Sequence, residues 1–199
     1  MITNNVKLVA NELKSGNVIA FRTDTIYGLS STIYDDNAVA KIFELKKRND
    51  GKPLIVLVPK NFDITSLVEI NENAKKLIDA FWPGPLTIIF KLKSQVAKGI
   101  TPFDTLSLRM PNDDTCQKLL ESVGEPITST SCNISGEQIL NNPKDIDRTF
   151  NIMVLDGGVA FGGMPSTIVN VAVNPVQILR IGAISEQEII NVLEKNTYF

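Results

Sequence analysis

Apolar and polar positions along this chain alternate in two periods, one helical and one extended. Val6 to Lys14 predicts a short amphipathic helix closed by Gly16. Val18 to Phe21 predicts a buried strand that runs into the polar cluster Arg22-Thr23-Asp24-Thr25. Asp36 or Asn37 can cap a helix reaching about Lys46, with Val39, Ile42 and Phe43 on one face. Pro53 to Val58 predicts a second buried strand, and Glu72 to Phe81 a helix that Trp82-Pro83-Gly84-Pro85 stops. Leu86 to Leu92 and Thr105 to Met110 predict further strands, and Asp113 to Val123 a helix with Gly124 as its stop. Ile127 to Ser131 predicts a short strand of unusual polarity, Pro143 to Phe150 a helix, and Ile152 to Leu155 a strand. Thr167 to Val173 and Val176 to Ile181 predict a hairpin turning at Asn174-Pro175. Ser185-Glu186-Gln187-Glu188 is a capping box that opens the last helix.

Strands and helices mix throughout, which predicts an α/β fold around a single twisted sheet. The late hairpin makes that sheet mixed. No repeat, low-complexity stretch or linker interrupts the chain, so one domain over residues 1–199 is expected.

Composition narrows the chemistry. At 43% hydrophobic residues the chain can bury a core without staples. The net charge is -2, so an anion site must be a local cluster rather than a basic domain. Histidine is absent, which removes Ser-His and Cys-His nucleophile pairs and histidine-based zinc sites. Cys116 and Cys132 lack CxxC spacing and read as free thiols of a reducing compartment. The first residues show no signal-peptide pattern and no apolar stretch reaches membrane-span length, so a cytoplasmic, non-membrane protein is expected.

Several polar clusters fall at predicted strand or helix ends, where open α/β sheets bind ligands. Thr23 to Gly28 is one; it reads as a β-turn or as part of a site. Lys46-Lys47-Arg48, with Lys52 beyond, is another. These cations either complement a helix dipole or converge on an anion where the helix ends. Thr128 to Asn133 puts five hydroxyl or amide side chains in six positions of a strand-like segment, which calls for a ligand or an ordered network. Arg109 and Arg180 lie inside apolar strands and need anion partners, and Ser166 follows the glycines Gly157, Gly158, Gly162 and Gly163. With no P-loop and no GxGxxG, a nucleotide here would be held by side-chain cations and hydroxyls.

In order, these pieces are TDTIYGL (23–29), LKKR (45–48) with KPLIVLV (52–58), WPGPLT (82–87), LSLRMP (106–111), STSCNISG (129–136), a DGG loop (156–158), PSTIVN (165–170) and ILRIG (178–182). The set resembles the YrdC-like threonylcarbamoyl-AMP synthase family over nearly the whole chain. The resemblance implies one twisted α/β sheet with flanking helices around a deep basic cleft. It implies that Thr25, Arg109, Ser129 and Ser166 surround L-threonine. It implies that Lys46, Arg48, Lys52, Thr105, Ser131, Asn133 and Arg180 contact ATP, which brings Mg2+ with it. The implied reaction joins L-threonine, bicarbonate and ATP into threonylcarbamoyl-AMP and pyrophosphate, and other proteins then transfer the group to tRNA. Catalysis by charge and positioning is expected, with Lys46, Arg48, Ser131 and Asn133 at its centre. The alternative is a YrdC-like module that binds double-stranded RNA or nucleotide without the synthase reaction, a reading that the acidic pI weakens; any RNA binding by the synthase itself is expected to be weak. Relatives differ at several positions, where this chain has Arg22, Asn49, Leu57, Ile139 and Ile181. The chain ends soon after the last match, so a form without the C-terminal domain of longer relatives is expected.

Overall fold

A computed structural model describes residues 1–47, 51–160 and 163–194. Arg48 and Gly162, both singled out above, lie outside them. In chain order the strands are β1 (Ile2–Thr3), β2 (Ile19–Arg22), β3 (Tyr27–Ser30), β4 (Ile55–Leu57), β5 (Val68–Glu69), β6 (Leu86–Leu92), β7 (Thr105–Arg109), β8 (Ile127–Ser131), β9 (Met153–Leu155), β10 (Thr167–Asn170) and β11 (Gln177–Arg180). The helices are α1 (Val6–Lys14), α2 (Asp36–Lys46), α3 (Glu72–Phe81), α4 (Asp114–Val123), α5 (Pro143–Phe150) and α6 (Glu186–Glu194), with a 3₁₀ turn at Ile64–Ser66.

The strands form one sheet in the order β1-β9-β2-β3-β8-β4-β7-β6-β10-β11, with β5 pairing on β6. Pairing is mixed: β4 runs parallel to β7 and β6 to β10, whereas β8 is antiparallel to both of its neighbours, β3 and β4. The late hairpin β10–β11 is antiparallel, and its register shifts between Ile168 and Val169, so that Ile168 faces Arg180 while Val169 faces Ile178.

Both sheet faces are covered, which explains the near-continuous apolar runs of the central strands. Ile19 and Phe21 of β2, Leu57 of β4 and Leu155 of β9 pack with Leu13 of α1 and Leu119 and Leu120 of α4. Their chain neighbours Ala20, Val56 and Val154 point the other way, into the core shared with α2, α3, α5 and α6.

The cap of α2 differs from expectation. Asp35 fills that place, its side chain accepting from the amides of Asn37 and Ala38. Asp36 is already helical, where its charge complements the dipole. The polar cluster after β2 is a tight turn only as far as Ile26; Tyr27 and Gly28 open β3.

Candidate functional site

Along the face that α1 and α4 cover, β8 changes character. Ile127 packs against those helices; Ser129 and Ser131, two and four positions on, share its face but line an open cavity. Ser129 sits opposite Ile55, Ile55 opposite Ser107, and Ser107 opposite Ile89, so one row of side chains crosses four strands as the cavity floor. The cavity holds about 450 Å³, and its walls include Thr25, Arg109, Ser166, Ile139, Leu179 and Arg180. Gly28 lies opposite Ser131 on β3, and a Cβ there would stand 2.7 Å from the Ser129 hydroxyl. The missing side chain keeps that hydroxyl clear.

Arg109 is buried at the end of β7. Its Nε donates to the Gly84 carbonyl (3.1 Å), Nη1 to the Thr25 hydroxyl (3.0 Å), and Nη2 pairs with Asp24. Thr25 and Thr23 hydroxyls bond each other at 2.9 Å. Arg180 stands across the cavity, partly exposed. It donates to the Ser166 carbonyl at 2.8 and 3.1 Å and to the Ser166 hydroxyl at 3.1 Å. Ser166 also bonds Thr87 at 2.8 Å. No carboxylate among the described residues pairs with Arg180. Partial burial, and then the positive charge of Arg109, pull its pKa below the usual guanidinium value. Two nearby cations balanced by one acid make this cavity suited to an anion.

The second cluster joins α2 to the end of β8. The helix stops at Lys46 because Lys47 turns left-handed at φ 48°. Lys46 is 2% exposed, so it is not a solvated cation at a helix end. Its ammonium donates to the Ser131 carbonyl, to the Asn133 carbonyl at 2.9 Å and to Asn133 Oδ1 at 3.1 Å. Ser131 Oγ donates to the same Oδ1 at 2.6 Å. Asn133 Nδ2 donates to the carbonyls of Ile134 and Glu137, which fixes the orientation of the amide.

The structure therefore gathers Thr25, Arg109, Ser129, Ser131, Ser166 and Arg180 around one cavity, with Lys46 and Asn133 tied to it through Ser131. Lys52 is exposed beside Pro53, which lines the cavity. Thr105 shares the face of Ser107 and Arg109 on β7; neither Lys52 nor Thr105 lines the cavity.

A family model for Sua5/YciO/YrdC, described as telomere recombination, matches residues 11–182. The chain belongs to the Sua5/YciO/YrdC family. It is 34% identical over 193 residues to a threonylcarbamoyl-AMP synthase of Pyrococcus abyssi, covering 94% of this chain and 57% of that protein. A putative threonylcarbamoyl-AMP synthase of Methanocaldococcus jannaschii is 33% identical over 187 residues, 92% of this chain and 88% of the relative. The crystal structure of P. abyssi Sua5 complexed with L-threonine superposes with a TM-score of 0.90 at 32% identity, covering 98% of this chain and 61% of that one. The chain thus spans little more than half the length of the P. abyssi protein.

Within this member of the Sua5/YciO/YrdC family, three contributors to the site have no role assigned from sequence. Asp24 falls in a cluster open to both a turn and a site, but its partner is not named from sequence; an Arg in an apolar strand requires an anion, and Asp24 supplies it. Thr87, inside the apolar run of β6, bonds Ser166. Buried Tyr27 accepts from the Gly157 amide at 3.0 Å and donates to the Gly158 carbonyl at 2.8 Å, anchoring the glycine-rich loop. Burial pushes its phenol pKa up. Thr87 and Tyr27 stand within the quoted WPGPLT and TDTIYGL pieces, but nothing local gives them a role, because their partners lie 79 and 131 positions away.

Proposed function

We propose that this chain condenses L-threonine, bicarbonate and ATP into threonylcarbamoyl-AMP, releasing pyrophosphate, as the first step of tRNA threonylcarbamoyladenosine modification. In this reading residues 1–199 act as one YrdC-like domain in the cytoplasm. The observation that carries it is the charge imbalance of the cavity: Arg109 and Arg180 share it with the hydroxyls of Ser129, Ser131 and Ser166, and Asp24 is the one acid paired to either cation among the described residues. Its relatives named threonylcarbamoyl-AMP synthase and the threonine-bound Sua5 structure support the same reading.

Arg109 takes the threonine carboxylate, with Thr25, Ser129 and Ser166 around the rest of the amino acid. Lys46, Arg48, Lys52, Thr105, Ser131, Asn133 and Arg180 serve the triphosphate. The threonine amine and bicarbonate first form an N-carboxylate, with loss of water. A carboxylate oxygen of that group attacks the α-phosphorus, and pyrophosphate leaves. The nucleophile is already charged at this step, so no general base is needed, which suits a chain without histidine. The barrier is repulsion between anions, and fixed cations lower it. Magnesium enters with the triphosphate; among the described residues no cluster of three His, Cys, Asp or Glu side chains could hold it alone. The product passes to separate tRNA-modifying transferases.

The test is pyrophosphate release by the purified chain. Release should require L-threonine, bicarbonate and ATP together, and Arg180→Ala should slow it by about 10²-fold. ATP or RNA binding without threonine-dependent release would favour the binding-module alternative. Wild-type rates from both Lys46→Ala and Arg48→Ala would refute the assignment of the phosphate site.

A further inference from the structure

Asp24 sits in the turn between β2 and β3, outside the cavity lining, yet it touches the residue that the threonine reading depends on. Arg109 has five N–H donors. Three meet protein acceptors, at Gly84, Thr25 and Asp24, which leaves one on each terminal nitrogen. Two donors suffice for the two oxygens of one carboxylate. Asp24 could act on this fork in two ways: as a movable plug that a substrate carboxylate displaces, or as a fixed buttress that aims it.

The surroundings favour the buttress. The second carboxylate oxygen of Asp24 accepts the Asn112 amide at 3.2 Å, just beyond the end of β7. The turn itself is locked by the Thr23 hydroxyl, which donates to the Ile26 carbonyl at 2.9 Å and accepts from the amides of Thr25 and Ile26. The turn thus fixes the backbone that carries Asp24, and swinging its carboxylate away from Arg109 would also cost the bond to the loop after β7.

We propose that Asp24 is a positioning residue for substrate recognition: it holds the Arg109 guanidinium so that its two remaining N–H groups face an α-amino-acid carboxylate. This deepens the threonine reading above and rests on it. The sign of the effect is diagnostic. Neutralising Asp24 removes a negative charge beside the site, which by Coulomb attraction alone would tighten carboxylate binding. Loss of aim would weaken it. The proposal requires the second effect to win.

Calorimetric binding of L-threonine and of ATP to wild type, Asp24→Asn and Asp24→Glu decides the matter. Asp24→Asn should weaken threonine by about tenfold or more, the scale of one charge-assisted hydrogen bond, and leave ATP within about twofold. Asp24→Glu, which keeps the charge with a longer reach, should fall between wild type and Asp24→Asn. Unchanged or tighter threonine binding by Asp24→Asn overturns the proposal, as does an equal loss for both ligands, which a purely structural role would give. Where Asp24→Asn does not fold, Asp24→Glu decides by the same criterion: a selective loss of threonine supports positioning, and an unchanged threonine-to-ATP ratio overturns it. Wild-type protein that binds ATP but not threonine would instead remove the threonine reading itself, and this inference with it.

Discussion

Lys46→Met tests whether the buried ammonium is structural as well as chemical. The substitution keeps most of the aliphatic stem and removes the charge. In the wild type that ammonium meets the Ser131 and Asn133 carbonyls and Asn133 Oδ1, on a residue 2% exposed. Each bond from a charged donor contributes about 1.5–3 kcal/mol net of solvation, so roughly 4.5–9 kcal/mol is an upper bound on the loss. Three bonds that share one ammonium are not additive, and the apolar methionine leaves no unpaired charge in the buried site. The net destabilisation expected is about 2–4 kcal/mol. For a chain of this length each kcal/mol lowers Tm by about 2–4 °C, so a fall of roughly 4–16 °C should appear. Urea unfolding should show a lower midpoint at unchanged slope. A Lys46→Met variant within about 0.5 kcal/mol of wild type would refute the claim that this ammonium ties α2 to β8. The same variant should lose pyrophosphate release, so activity must be measured where it is fully folded.

Two further outcomes follow from the packing. Gly28→Ala should push the Ser129 hydroxyl out of place, costing about 1–3 kcal/mol and weakening ligand binding; adding Ser129→Ala should recover the stability but not the binding. An equal loss of stability in the double variant would count against that contact. Cys116 and Cys132 are buried free thiols whose pKa burial raises, so a disulfide reagent near pH 8 should find no reactive thiol in native protein and two after unfolding. Rapid labelling of either cysteine in the native state would contradict it.

Where sequence and structure agree, local patterns were strong. The helices Glu72–Phe81 and Pro143–Phe150 and the strands Leu86–Leu92 and Ile127–Ser131 begin and end where periodicity and proline or glycine stops place them. Of the strands that escaped notice, Ile2–Thr3 and Val68–Glu69 are two residues long and held by partners remote in sequence, whereas Tyr27–Ser30 pairs with the preceding strand as well as with β8 and follows a cluster too polar to mark a hairpin turn by pattern. Lys46 shows the same limit at the site. Its place at a helix end suggests a dipole partner, and only the fold brings the backbone of Ser131 and Asn133 to its ammonium. The excess of hydroxyls in β8 was legible because a strand cannot bury so many without a purpose.

The register shift in the last hairpin governs more than strand alignment. Were Leu179 paired with Ile168 in an unbroken ladder, Arg180 would fall opposite Thr167, and strand alternation would turn its guanidinium away from the cavity towards the interior. The bulge thus decides which side of the sheet receives a positive charge. Deleting Leu179 would remove the bulge and one wall of the binding chamber, yet leave Arg180 opposite Ile168, so the chamber would keep that cation.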